Sequence, residues 1–168
     1  MRSFLMIGLS AAALAAIPAQ AQTVPPDLSG VAYIAHQTND QVFLLVGEPR
    51  QFGAGRSTVF GTLVHVYRRP QISRATVEVA TFFRIDTALE YDCVGSRQRK
   101  IAAATRDAAG GLIRIEGSGD WIDLPPASVG AKALQLACGQ SDAASVPNFP
   151  VGQLNQTVQA WRAASRDQ

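Results

Sequence analysis

The stretch EYDCVGSRQRK, Glu90 to Lys100, brings a strand-like segment to a cysteine, turns at Gly95-Ser96 and leaves along closely spaced cations. Cys93 has three readings. It is a nucleophile in an electropositive setting, a metal ligand, or one half of a disulfide. The choice among them decides how the rest of the chain is built.

The N-terminus bears on the choice. Arg2 supplies a positive start, Phe4 to Ile17 carries no charge, and Ala19-Gln20-Ala21 has small residues at the two positions a signal peptidase reads. This is the pattern of a secretory signal peptide, residues 1–21, cleaved after Ala21. The apolar run is too short to cross about 30 Å of hydrocarbon. No cysteine lies just after it, so no lipid-acylation site is expected, and no later segment reads as a transmembrane helix.

Export places Cys93 and Cys138, the only two cysteines, in an oxidising compartment, where such a pair is expected to join. Zinc would need three or four ligands in close pairs, whereas this chain has no C-x-x-C and only His36 and His65 as histidines. A reactive free thiol is the remaining alternative. A bridge would close a loop of about 45 residues and stabilise the fold by about 4 kcal/mol on the chain-entropy model. Arg97 and Arg99 would then share one face of a solvated strand, with Lys100 on the other.

Outward from this stretch the dominant period is two. VAYIAH (31–36) and QVFLLV (41–46) read as a hairpin about Thr38-Asn39-Asp40. Gly47 to Gly55 reads as a loop. Arg56 to Arg69 reads as a strand that Pro70 stops. Ala75, Val77, Val79, Phe83 and Ile85 alternate with Arg74, Thr76, Glu78, Arg84 and Asp86, which predicts one face on a core and one in water. Leu89, Tyr91 and Cys93 share a face of the following strand. RQRKIAAATRDA reads as a returning strand, although its alanines suit a helix equally, and LIRIE (112–116) follows a Gly110-Gly111 turn. Trp121 reads as a core anchor. Ser128 reads as the N-cap of a helix from Val129 to Ala137, stopped by Gly139. Gly139 to Pro150 is linker-like, and Leu154, Val158 and Trp161 have the spacing of a terminal amphipathic helix.

EYDCVGSRQRK followed by GDWIDLPPASVGAKALQLAC (119–138) resembles the surface-adhesin protein E family of bacterial envelope proteins. The resemblance spans about Glu78 to Gly139. In that family an acidic residue and a cysteine end one strand and a basic strand follows. A tryptophan then precedes a proline-rich turn and a serine, and a short helix ends in the partner cysteine. Those positions here are Asp92-Cys93, Arg97 to Lys100, Trp121, Pro125 to Ser128 and Cys138. The resemblance implies an antiparallel sheet with a helix packed across it, closed by a Cys93–Cys138 bridge. It also implies no catalytic machinery, and adhesion to matrix or envelope proteins. The chain departs from the adhesin in lacking a lipid-anchoring cysteine.

Other chemistry finds little support. The formal charge of +2 is spread along the chain, unlike a nucleic-acid binder. There is no G-x-S-x-G elbow, and His36 and His65 read as ordinary strand residues. GAGRST (53–58) opens onto β-branched residues, where a phosphate-binding loop would open onto a helix. Glu90 and Asp92 sit two apart on a strand, about 7 Å from each other, near the spacing of an inverting glycosidase. Cross-strand pairing with Arg97 and Arg99 explains them more simply. Tyr33, Phe43, Phe52, Phe60 and Tyr67 are too spread to define a patch.

The expected protein is therefore an α+β domain at residues 22–139, followed by a linker and C-terminal helix at 140–168. It has about six antiparallel strands and one disulfide-pinned helix. Expected function is non-enzymatic protein binding in the envelope or at the surface, without metal, cofactor or nucleic acid, and with a homodimer as one assembly. Two alternatives stand beside it. A carrier of a small apolar ligand would need a cavity of about 300 Å³. A hydrolase would need His36 or His65 bonded to a serine or carboxylate in a cleft.

Overall fold

The structure, a computed structural model, describes residues 28–73 and 80–164. The expected signal peptide, its cleavage after Ala21 and the alternating Arg74 to Val79 lie outside the described residues. The rest forms one antiparallel sheet with a helix on each face. Its strands are β1 (Val31–Gln37), β2 (Gln41–Gly47), β3 (Thr58–Ser73), β4 (Ala80–Asp92), β5 (Arg97–Arg106), β6 (Leu112–Glu116), β7 (Trp121–Asp123) and β8 (Asn148–Pro150). Helix α1 is Val129–Ala137 and α2 is Leu154–Ala163. The order across the sheet is β6-β5-β4-β3-β2-β1-β8, and β7 pairs with the other half of β5.

The expected about six strands become eight. The two additions, β7 and β8, have three residues each, too few to show a period. β8 ends the segment read as a linker and pairs with β1 at Val31, Ala32 and Tyr33. The two strands expected on either side of residue 87 are the single strand β4.

Local chemistry explains the joints. Thr38 Oγ1 accepts from the backbone N–H groups of Asp40 and Gln41 and closes the β1–β2 hairpin. Pro70 does not stop β3. It lies past the last residue paired with β2, Tyr67, and within a register shift against β4 between Val66 and Gln71. Its missing donor therefore leaves no acceptor unsatisfied in the ladder. At the β4–β5 turn the positive φ falls on Ser96, at 53°, rather than on Gly95. Asp92 Oδ1 holds the turn by accepting from the N–H groups of Val94 and Gly95. The alanines of β5 settle as strand, and Ala102 to Ala104 are buried.

Helix α1 begins as its sequence says. Ser128 Oγ accepts from Ala131 N at 3.1 Å. It ends in a Schellman arrangement, with Gln140 N donating to Gln135 O at 2.8 Å and Gly139 N to Leu136 O at 3.2 Å. Gly139 has φ 66°, and a side chain there would meet the backbone of Gly53 and Ala54. Gly53 N also donates to Ala137 O at 3.0 Å, so the loop before β3 is stitched to the helix end.

Period two in β2 and β3 places apolar residues on both faces, and each face carries its own core. On one face Tyr33, Leu45, Val59, Leu89 and Tyr91 pack against Ala133, Leu134, Leu136 and Ala137 of α1. On the other, Ala32, Val42, Leu44, Val46, Val64 and Val66 pack against Leu154, with Val158 and Trp161 beside it. The terminal helix thus docks. Burying each large side chain in these layers contributes about 1.5–3 kcal/mol. The helices lie diagonally. α1 covers the end of the sheet nearest Val59 and Tyr91, while α2 covers the opposite face near Val42 and Val66.

Candidate interaction surface

Cys93 and Cys138 are bonded, with their Cα atoms 5.6 Å apart. The bridge ties the end of β4 to the C-cap of α1. Cys93 is thereby neither nucleophile nor metal ligand, and no cluster of three or more metal-ligating side chains exists among the described residues. Cys93 N donates to Ser57 O at 2.9 Å, which fixes the start of β3 to the same corner.

The quoted stretch then builds a surface on the face opposite α1. Register pairs Phe60 with Glu90, Glu90 with Arg99, and Arg99 with Trp121. Paired residues of an antiparallel sheet point to the same side. These four therefore form one row across β3, β4, β5 and β7. Thr58, Asp92, Arg97 and Asp123 form the next row. Arg99 is paired with Glu90, and Arg97 Nε donates to Asp92 at 2.8 Å, as cross-strand charge pairing requires. The guanidinium carbons of Arg97 and Arg99 sit 5.2 and 5.0 Å from the Trp121 ring. Trp121 is therefore clamped between cations on a strand, half-buried, rather than anchored in the core. The Asp92 carboxyl lies below the usual carboxylate range, first because Gly95 N–H and then because Arg97 bonds its charged form.

Phe60 stands 58 % exposed in this row, and Ile101 is 39 % exposed beside it. Ile101 reaches outward because β5 bulges there: Leu89 pairs with Lys100 and Ala88 with Ala102. Between them lies an open hollow of about 270 Å³, floored by small residues including Gly61, Thr62 and Ala88. α2, at the other end of the strands, does not line it.

The α1 face carries a second row that sequence reading missed. His36, Phe43, His65, Tyr67 and Phe82 stand in line, with Phe43–His65 and His65–Tyr67 ring centroids each 3.9 Å apart. Phe43 and Tyr67 come together because β2 pairs with β3 in a register that sets Phe43 opposite His65. Only that register could have revealed the row. His65 Nε2 meets Gln41 Oε1 at 2.9 Å, and burial pushes its pKa down to about 4. His36 Nδ1 lies 3.3 Å from Lys132 Nζ. Among the described residues these are the side-chain hydrogen-bond partners of the two rings, an amide and an ammonium.

Arg84 and Asp86 were expected in water and are buried. Arg84 holds Asp86 through two bonds, at 2.7 and 2.9 Å, Arg106 bonds the same carboxylate, and Arg84 also donates to Asn155 of α2 at 2.9 Å. Phe83 lies under Arg162 of the same helix, 3.7 Å from the guanidinium carbon. The water-facing side of the strand is thus the bed for α2. Opposite charges two apart on a strand were the available signal, since they share one face. The hollow beside Phe60, and a second of about 140 Å³ beneath α2, both fall short of the about 300 Å³ expected of a drug-sized carrier. No helix among the described residues is long and apolar enough to cross a membrane. No family model, no curated protein and no solved structure matches the chain.

Proposed function

We propose that this is an exported, non-enzymatic protein of the cell envelope or surface that acts by binding another protein, as the surface-adhesin protein E family it resembles would. The observation that carries the reading is Phe60, an exposed aromatic over a small-residue hollow, flanked by two Arg–carboxylate pairs and the clamped Trp121. Aromatic and arginine side chains set in a polar rim are the composition of a binding hot spot. The Cys93–Cys138 bond supports export, because such bonds persist in oxidising compartments. Periplasmic or cell-surface location and processing after Ala21 belong to the same proposal.

The test is a comparison of captures. The processed chain, beginning at Gln22, is immobilised and exposed to the soluble envelope fraction and to matrix proteins, beside Phe60→Asp. A partner held by the wild type and lost, by about tenfold or more, in Phe60→Asp supports the reading. Capture equal in both, or of nothing but a second copy of this chain, overturns the surface assigned here. Recovery of the protein in the cytoplasm with its N-terminus uncleaved overturns export.

A further inference from the structure

The hollow beneath α2 lies apart from the Phe60 row, is partly open to solvent and has mainly apolar walls. Leu44 forms part of its floor, and Phe149, Val158 and Trp161 enclose it, with Gln37 and Thr157 its polar side chains. Three different elements make it: the sheet, the three-residue strand β8 and the terminal helix. At about 140 Å³ it has the size of apolar cavities that accept a benzene-sized molecule.

One wall carries an unmet donor. The Trp161 indole N–H is buried and finds no acceptor among the described residues. Arg68, whose guanidinium carbon lies 4.5 Å over the same ring, also has a buried Nε without a partner. A buried donor without an acceptor costs about 1–3 kcal/mol, and is kept where something else supplies the acceptor. Trp161 itself lines the chamber, whose other lining is apolar apart from Gln37 and Thr157, and Arg68 stacks on the Trp161 ring.

We infer that this chamber is a binding site for a small apolar ligand: a ring or branched chain of about six to eight heavy atoms bearing one carbonyl-type oxygen. The hydrocarbon fills the space over Leu44 and Val158, and the oxygen accepts from Trp161 Nε1. The site is independent of the Phe60 row, because it lies at the opposite end of the strands. It is also too small for the drug-sized ligand of a general carrier.

Cyclohexanone is the probe and methylcyclohexane its oxygen-free control. The chain has two tryptophans, so two indole N–H resonances report in a proton–nitrogen spectrum of the disulfide-bonded protein. Trp161→Phe assigns them, and Trp121→Phe does so independently if the first variant does not fold. Cyclohexanone is expected to move the Trp161 resonance downfield and saturably at millimolar concentration, leaving Trp121 in place. Methylcyclohexane is expected to compete for the space without the downfield shift. Val158→Phe fills the chamber and is expected to weaken binding by about tenfold or more. If it does not fold, Thr157→Phe at the half-buried rim replaces it. Movement of neither resonance, movement of both together, a shift that never saturates, or undiminished binding in the filled variant would each overturn the inference.

Discussion

Tyr91 is fully buried in the α1 core, and its hydroxyl meets no acceptor among the described residues. Burial raises its pKa, so it remains a neutral phenol. Tyr91→Phe removes an unsatisfied group and keeps the ring, and is expected to leave stability unchanged or raise it by about 1 kcal/mol in urea unfolding. His65 behaves oppositely with pH. Its folded pKa, about 4, lies below the ordinary imidazole value of 6.5, so the unfolded chain takes up the proton first. The stability it contributes is fully present above about pH 6.5 and is lost as pH falls towards 4. With its ring partly open to water, the loss is about 1–2 kcal/mol. His65→Phe, which keeps the stack on Phe43 and Tyr67, is expected to flatten that part of the urea-midpoint profile. Neither role was legible from the residue alone. Tyr91 was placed correctly by alternation with Leu89 and Cys93, but His65 needed the β2–β3 register to acquire its neighbours.

Among the elements, α1 was legible to the residue. Its cap serine, its buried stripe and its glycine stop all act within one turn of chain, and local chemistry decides them. β7 and β8 were not legible, because three residues carry no period and their pairing depends on where distant chain lies. The bed of α2 was misread for a physical reason. Alternating charge signifies water only when no element covers it, and here Asn155 and Arg106 arrive from far along the sequence to satisfy Arg84 and Asp86. Asp86 is 0 % exposed and answers two guanidinium groups. Asp86→Ala is therefore expected to lower stability by about 3–5 kcal/mol, since it leaves buried cations uncompensated. Loss of α2 protection in hydrogen exchange should accompany it, and a loss under about 1 kcal/mol would show that water reaches the cluster.

For the whole molecule, the bridge is a covalent constraint, joining residues 45 apart. Replacing both cysteines by serine is expected to lower stability by about 4 kcal/mol, measured by urea unfolding against the oxidised protein. The two serines remain beside a Schellman turn whose Gly139 sits against Gly53 and Ala54, so the corner should loosen while the far face under α2 stays protected. The diagonal placement of the helices leaves each face of the sheet uncovered by helix over one end: Phe60 and Ile101 on one side, the His–aromatic row on the other. These bare ends look in opposite directions. A flat support, whether bilayer or matrix, can therefore press against only one of them, and a molecule held by one end still shows the other to its surroundings.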